Sequence, residues 1–175
     1  MAERIFNVLF LCTGNSARSI IAEAILNNLG RGRFQAFSAG SHPKGDVHPL
    51  ALKVLEASKV STKGLASKRW DVFAETDAPP MDFVFTVCDD AAGETCPVWP
   101  GHPATAHWGI EDPAVVEGTD IQKKAAFVIA MRYLRNRITA FMSLRFASLD
   151  ALALETQLRT IGRMPGVSSK SEKLE

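Results

Sequence analysis

The feature that most constrains the fold is the run RIFNVLFL at residues 4–11, which is followed at once by CTGNSARS. The run is short, apolar and rich in large side chains, so it predicts a strand buried on both faces. Apolar residues after the turn recur at helical spacing, namely Ile20, Ile21, Ala24, Ile25 and Leu29. Residues 17–29 are therefore predicted to form a helix that stops at Gly30.

The rest of the chain continues this alternation of strands and helices. Further strands are predicted at residues 33–40, 81–88 and 104–108, and further helices at 49–58, from 119 onward and at 149–161. Such alternation predicts a single three-layer α/β domain, with a four-stranded parallel sheet and helices on both faces. We expect this domain to span residues 1–162, followed by a flexible tail at 163–175.

The helix after residue 119 carries two local signals. Thr119 and Gln122 have the spacing of a capping box. An apolar stripe is predicted along Ile121, Ala125, Val128, Ile129, Leu134, Ile138 and Phe141. For the last helix, Ser148 is the expected cap.

The composition does not point to a nucleic-acid or membrane partner. The 175 residues carry a net charge of +1, which gives no reason to expect a nucleic-acid or membrane partner. No apolar run approaches the roughly 20 residues of a spanning helix, and no signal-peptide pattern is present. We expect a cytoplasmic monomer, in which three cysteines indicate free thiols, metal ligands or redox chemistry.

The turn after the first strand has the pattern C-x5-R, from Cys12 to Arg18. A tight loop of small residues can point successive backbone N–H groups at an anion, and the following helix adds its positive end. The Arg18 guanidinium offers a planar fork to two oxygens of a tetrahedral oxyanion. The predicted oxyanion-binding residues are Thr13, Gly14, Asn15, Ser16, Ala17, Arg18 and Ser19.

The same electrostatic field favours a thiolate. We therefore expect the pKa of Cys12 to fall below the ordinary value of about 8.5, with Ser19 donating a hydrogen bond to the sulfur. The alternative is a cysteine that only fills the core, beside an arginine that is only solvated. The C-x5-R pattern by itself leaves both readings open.

A second cysteine, Cys88, also falls at the carboxyl end of a predicted strand. The carboxyl ends of parallel strands meet at one edge of a sheet, so Cys12 and Cys88 are expected on the same rim. An alternative is a zinc site made of Cys88, Cys96, His102 and His107. The seven residues between the two cysteines exceed the two to four usual in structural zinc sites, so we predict no bound metal.

Several motifs together resemble a known family. The loop CTGNSARS resembles the phosphate-binding loop of the low-molecular-weight tyrosine phosphatase fold, and more narrowly that of the arsenate reductases built on this fold. VCDDAAGETCP and HWGIEDPA resemble the redox segment and the Asp-Pro loop of those reductases. The resemblance covers residues 5–145. Ala114 follows the Asp-Pro pair where the phosphatases usually carry an aromatic residue.

The resemblance implies reduction of arsenate to arsenite by a cysteine relay. Cys12 would be the nucleophile and Asp112 the general acid, while Cys88 and then Cys96 would carry the disulfide outward. It implies no bound cofactor but an external thiol donor, thioredoxin first and glutathione with glutaredoxin second. Phosphate and sulfate would compete with arsenate. The alternatives are a phosphatase acting on a phosphoprotein or small phosphate ester, and a non-catalytic regulator that binds arsenic or a metal.

Some reductases of this fold hold potassium beside the loop with an Asn, a Glu, a Ser and an acidic residue. Asn15, Glu23 and Ser38 match three of these positions, but Lys68 stands where the acidic ligand would be. This departure leads to the hypothesis that the Lys68 ammonium pairs with Glu23 and replaces the cation, so that activity is independent of potassium. The alternative is that Lys68 is a solvated surface lysine.

Overall fold

The computed structural model describes residues 4–95 and 97–168. In this part of the chain the strands are β1 (Phe6–Cys12), β2 (Phe34–Gly40), β3 (Phe83–Thr86) and β4 (Ala104–His107). The α-helices are α1 (Arg18–Leu29), α2 (Pro49–Ala57), α3 (Asp89–Ala92), α4 (Asp120–Met142) and α5 (Ala151–Gly162). None of the helices in these ranges is both long and apolar enough to cross a bilayer.

The four strands form one sheet in the order β2-β1-β3-β4, and every neighbouring pair is parallel. The predicted α/β fold is therefore confirmed. The register pairs Cys12 with Gly40 and Thr86 with His107. The carboxyl ends of all four strands consequently lie along one edge of the sheet, where ligands bind in folds of this kind.

The two faces of the sheet are covered differently. The larger core lies under α1, α2, α4 and α5, and at its centre Trp108 stacks on Phe85 with ring centroids 3.8 Å apart. On the other face, strand residues such as Leu11 pack against Trp70 and Trp99. Trp70 belongs to a 3-10 helix at Trp70–Phe73.

Two predicted elements differ from those observed. The third strand is shorter than 81–88, and Asp82, just before it, instead accepts a hydrogen bond from the Asn7 backbone N–H at 2.8 Å. The predicted stripe of the long helix was partly wrong, because Ile121 is 82% exposed and Ile129 is 44% exposed. The buried face follows helical steps from Phe127, a residue left out of the prediction: Phe127, Ala130, Met131, Leu134, Arg137, Ile138 and Phe141.

The helix caps were predicted with mixed success. The Thr119–Gln122 capping box is present at the start of α4. The cap of α5 is Asp150 rather than Ser148, because the Asp150 carboxylate accepts the Ala153 N–H at 2.8 Å. The Ser148 hydroxyl instead donates to the Arg145 carbonyl.

The segment after α5 also differs from the predicted flexible tail. The Arg137 guanidinium donates to the carbonyl oxygens of Met164 and Pro165, and Val167 forms an antiparallel bridge with Ile110. Residues 163–168 are thus packed on the domain. The buried Arg137 side chain of α4 and the backbone of Ile110, after β4, hold them in place. Residues 169–175 lie outside the described ranges, and the domain boundary at 162 stays a prediction.

Candidate active site

The connection between β1 and α1 wraps around a cavity of about 190 Å³ at the carboxyl edge of the sheet. We call residues 12–18 the oxyanion loop. The cavity is lined by Cys12, Thr13, Gly14, Asn15, Ser16, Ala17, Arg18, His42, Lys44, Asp90 and Asp112. All predicted oxyanion-binding residues except Ser19 line it, so the C-x5-R segment does form a concave site.

Asn15 holds the loop in this shape. Its backbone is left-handed, with φ of 42°, and the residue is fully buried. The side-chain amide donates to the hydroxyls of Ser19 at 2.8 Å and Ser38 at 3.0 Å, and it accepts the Lys68 N–H at 2.8 Å. Three satisfied hydrogen bonds offset the strain of a conformation that non-glycine residues rarely adopt.

The position of Ser19 corrects a prediction. Ser19 is fully buried beneath the loop, and its described hydrogen bond is the one it accepts from Asn15, rather than one to the Cys12 sulfur. The residue therefore supports the loop from below. Gly40 allows the same close packing, because a Cβ there would lie 2.4 Å from the Thr13 carbonyl oxygen.

Arg18 and Asp112 meet at the mouth of the cavity. Arg18 Nη1 donates to the Ile110 carbonyl at 2.9 Å, and Nη2 lies 3.4 Å from Asp112 Oδ2. Within the described ranges, the Nε of Arg18 is buried without a hydrogen-bond partner. A buried cationic donor left unpaired beside a concave site fits a bound oxyanion. The other Asp112 oxygen accepts the Ala114 N–H at 2.9 Å, which fixes the carboxylate in place.

Cys12 and Cys88 are both buried free thiols, and they lie close enough for each to shift the pKa of the other. Cys88 accepts a hydrogen bond from the Thr13 backbone N–H, at 3.2 Å. The neighbouring Cys12 and the Thr13 contact lower the pKa of Cys88 to about 6, although burial opposes them. Cys88 and burial together raise the pKa of Cys12, although Arg18 lowers it.

The expected depression of the Cys12 pKa is therefore wrong for the unliganded pair. Neighbouring thiols titrate as a pair, and here the pKa of Cys88 is lowered while that of Cys12 is raised. The prediction considered Cys12 only with its own loop, whereas the second sulfur comes from a strand end far along the chain.

Residues 7–151 match the model of a family described as low molecular weight phosphotyrosine protein phosphatase. The chain belongs to that family. The resemblance predicted from the loop, the redox segment and the Asp-Pro pair is thereby confirmed at the level of the family.

Several similar proteins are named more specifically, as arsenate reductases. An arsenate reductase of Bacillus subtilis is 34% identical over 134 residues, which cover 77% of this chain and 93% of the relative. The structure of an arsenate reductase in its phosphate-binding state has 27% identity and a TM-score of 0.64, covering 79% of this chain and 97% of that chain. A thioredoxin-dependent arsenate reductase of Corynebacterium glutamicum has 29% identity and a TM-score of 0.53, covering 79% of this chain and 64% of that chain.

His107 was one of the four candidate zinc ligands, and its hydrogen bonds in this family member argue against that role. The ring Nε2 lies 2.8 Å from Asp89 Oδ1, and Nδ1 lies 2.7 Å from the Thr86 hydroxyl. Both ring nitrogens are thus occupied by hydrogen bonds, which leaves no lone pair for a metal. Cys96, the other thiol of that set and of the predicted relay, lies outside the described residues.

Three residues of the site were missed in the sequence: His42, Lys44 and Asp90. The backbone N–H groups of His42 and Lys44 donate to the carbonyls of Thr13 and Gly14, both at 3.0 Å, so the segment after β2 lies along the oxyanion loop. The Lys44 stem covers Gly14, because a Cβ at Gly14 would lie 3.3 Å from Lys44 Cε. The sequence did contain a signal for His42 and Lys44, because they follow the second predicted strand closely. Polar residues directly after a parallel strand lie at the ligand-binding edge of the sheet.

Behind the loop, Lys68 and Glu23 lie side by side. Lys68 Nζ is 3.9 Å from Glu23 Oε1 and donates to the carbonyls of Ser38 at 3.0 Å and Ala66 at 2.7 Å. Burial raises the pKa of Glu23 to about 7 against the opposing effect of Lys68, and burial lowers the pKa of Lys68. The pair supports the loop through Asn15, which binds both Ser38 and the Lys68 backbone.

Proposed function

We propose that this member of the low molecular weight phosphatase family is an arsenate reductase that works by a cysteine relay. The observation that carries the proposal is the 3.2 Å hydrogen bond from the Thr13 backbone N–H, in the oxyanion loop, to the Cys88 sulfur, which brings a second thiol beside Cys12. Hydrolysis of a phosphate ester needs one sulfur, whereas reduction of arsenate needs a second thiol that can reach the first. The arsenate reductases among its relatives support the same activity.

In the first step, the oxyanion loop and Arg18 hold arsenate against the Cys12 sulfur. Cys12 loses its proton and forms a bond to arsenic. Asp112 takes up this proton and delivers it to one arsenate oxygen, which leaves as water. The 3.4 Å contact between Arg18 and Asp112 at the mouth of the cavity supports this role for Asp112.

In the second step, the Cys88 thiolate attacks the Cys12 sulfur. A disulfide forms between the two residues as the sulfur–arsenic bond breaks, and the bonding electron pair stays on arsenic. Two thiols are oxidised and As(V) becomes As(III), so the electrons balance. The Thr13 backbone N–H and the charge of Arg18 both lower the pKa of Cys88, and they favour the thiolate, which is the reactive form.

In the third step, Cys96 attacks Cys88, and Cys12 leaves as a thiolate. The resulting Cys88–Cys96 disulfide is then reduced by an external dithiol. Thioredoxin is the first candidate donor, since one structural neighbour is a thioredoxin-dependent arsenate reductase. Glutathione with glutaredoxin is the second candidate.

The residues behind the loop do not fit a resident potassium ion. The Lys68 ammonium already lies among the Ser38 carbonyl, the Ala66 carbonyl and the Glu23 carboxylate. A second cation among the same oxygens would face like-charge repulsion at short range. In the proposed mechanism, Lys68 takes the structural place of the cation and stays outside every chemical step.

Phosphatase activity is the second candidate function, favoured by the family match and by the Cys12, Arg18 and Asp112 arrangement. Ala114 follows the Asp-Pro pair, so this position offers no aromatic side chain to a phosphotyrosine. We therefore propose phosphatase activity as a side activity on small phosphate esters.

The proposal is tested by measuring arsenite formation and para-nitrophenyl phosphate hydrolysis in Cys12→Ser, Cys88→Ser and Cys96→Ser. We expect all three variants to lose multiple-turnover arsenate reduction with any donor. Only Cys12→Ser should also lose phosphate ester hydrolysis, because that reaction needs no second thiol. Normal arsenate turnover in both Cys88→Ser and Cys96→Ser would show the relay to be wrong.

A further inference from the structure

The family match ends at residue 151, yet the chain continues through α5 into residues 163–168, which we call the C-terminal strap. The strap is anchored on α4. Arg137, fully buried, donates to the carbonyls of Met164 at 3.2 Å and Pro165 at 3.5 Å. Gly166 lies so close to Tyr133 that a Cβ would come within 2.3 Å of its ring, so the strap has one defined path.

From this anchor the strap runs to the carboxyl edge of the sheet. Val167 bridges Ile110, and the Ser168 N–H donates to the Gly109 carbonyl at 3.1 Å. Ile110 is also the residue whose carbonyl accepts a hydrogen bond from Arg18. The strap therefore ends against the segment that leads to Asp112.

The side chain of Ser168 then reaches the redox segment. Ser168 is only 2% exposed, and its hydroxyl lies 2.9 and 2.7 Å from the two carboxylate oxygens of Asp89. Asp89 directly follows Cys88 and begins α3, a helix of only 4 residues. His107 holds the same carboxylate at 2.8 Å, so two side chains from different elements fix the residue next to Cys88.

We propose that Ser168 is a positioning residue of the relay: through Asp89 it keeps the Cys88 sulfur aimed at Cys12 for the attack that releases arsenite. The proposal rests on the proposed arsenate reductase activity. A helix as short as α3 cannot fix its own first turn, because a single turn is not stable alone. Attack on a sulfur needs close approach and alignment, so a small displacement of Cys88 costs rate. The oxyanion loop, Arg18 and Asp112 are held by other contacts, so their chemistry does not depend on the Ser168 hydroxyl.

The test compares Ser168→Ala with wild type and with Ser148→Ala, which removes an exposed hydroxyl from the same part of the chain. Reduced protein is mixed with arsenate without any donor, and arsenite is quantified after rapid acid quench together with the Cys12–Cys88 and Cys88–Cys96 disulfides. Loss of a hydrogen bond to a carboxylate predicts about fivefold slower arsenite release in Ser168→Ala. Para-nitrophenyl phosphate hydrolysis should stay at the wild-type rate, and Ser148→Ala should match wild type in both assays.

Asp89→Asn and the double variant show whether Ser168 acts through Asp89. If it does, Ser168→Ala adds no further slowing to Asp89→Asn. Wild-type arsenite release in Ser168→Ala would overturn the proposal while leaving the reductase activity in place. Equal losses in arsenite release and ester hydrolysis would also overturn it, because the serine would then act on the whole fold. Failure of the wild-type protein to form arsenite would refute the proposed function itself.

Discussion

The Thr13 backbone N–H donates to the Cys88 sulfur at 3.2 Å, so the residue after the nucleophile holds the second thiol. This contact joins two segments that are 75 positions apart in the sequence. Together with the neighbouring Cys12, it lowers the pKa of Cys88, while Cys88 and burial raise the pKa of Cys12. Cys88 therefore loses its proton more readily than Cys12.

The pH dependence of Cys88 alkylation should reveal its lowered pKa. With both thiols free the pKa of Cys88 is about 6, so iodoacetamide should alkylate Cys88 at a nearly constant rate above pH 7. Below pH 6 the rate should fall about tenfold per unit, because protonation removes the nucleophile. Alkylation rates from pH 5 to 8, followed by mass spectrometry of the labelled Cys88 peptide, test this. A rate that stays flat down to pH 5 would contradict it.

Asp112→Asn should slow both arsenite formation and para-nitrophenyl phosphate hydrolysis by about a hundredfold or more, because the leaving oxygen loses its acid. The structural basis is the 3.4 Å contact to Arg18, which keeps the carboxylate at the cavity mouth. The exposed Glu117, in the same segment of chain, provides the control, and Glu117→Gln should retain both activities. Equal rates in Asp112→Asn and Glu117→Gln would remove Asp112 from the mechanism.

Local patterns were enough to predict the fold and the place of the cavity, since β1, the oxyanion loop and α1 are consecutive in the chain. The distribution of charge could not be predicted in the same way. The pKa of Cys12 depends on Cys88, and the position of Cys88 depends on the packing of β3 against β1. The contact between Ser168 and Asp89 could not be predicted either, because nothing in a polar C-terminal sequence indicates which surface of the domain that segment covers.

Lys44→Met should raise the KM for arsenate about threefold to tenfold with little change in kcat. Lys44 lies on the rim of the cavity with its stem over Gly14, where its charge attracts an oxyanion without touching the reacting sulfur. The effect should shrink as salt rises, because an exposed charge is screened. Lys124→Met, on the exposed side of α4, serves as the control. A similar KM shift in both variants would show that the effect comes from the net charge of the protein and not from the position of Lys44.

Arsenate turnover should be the same in potassium and sodium salts at constant ionic strength. The Lys68 ammonium already lies 3.0 Å from the Ser38 carbonyl oxygen and 3.9 Å from the Glu23 carboxylate, so there is no place for a second cation. Steady-state kinetics with either chloride salt provide the measurement. A clear potassium-dependent rise in turnover would show that Lys68 does not take the place of the ion.

Glu23→Gln should make the protein relatively more stable as the pH rises. Burial raises the pKa of Glu23 from 4.5 to about 7, so the native state binds this proton more tightly than the unfolded state does. Wild-type stability from this group is therefore present below about pH 4.5 and is lost as the pH rises through 7, by about 3 kcal/mol in total. Glutamine does not titrate. The Glu23 carboxylate pairs with Lys68 only once it ionises, and this pairing is already included in the pKa of about 7. The Tm of Glu23→Gln relative to wild type should consequently rise by about 5 to 10 °C between pH 4.5 and pH 8. Glu56→Gln, at an exposed position of α2, should show no such trend, and a pH-independent Tm difference for Glu23→Gln would contradict the raised pKa.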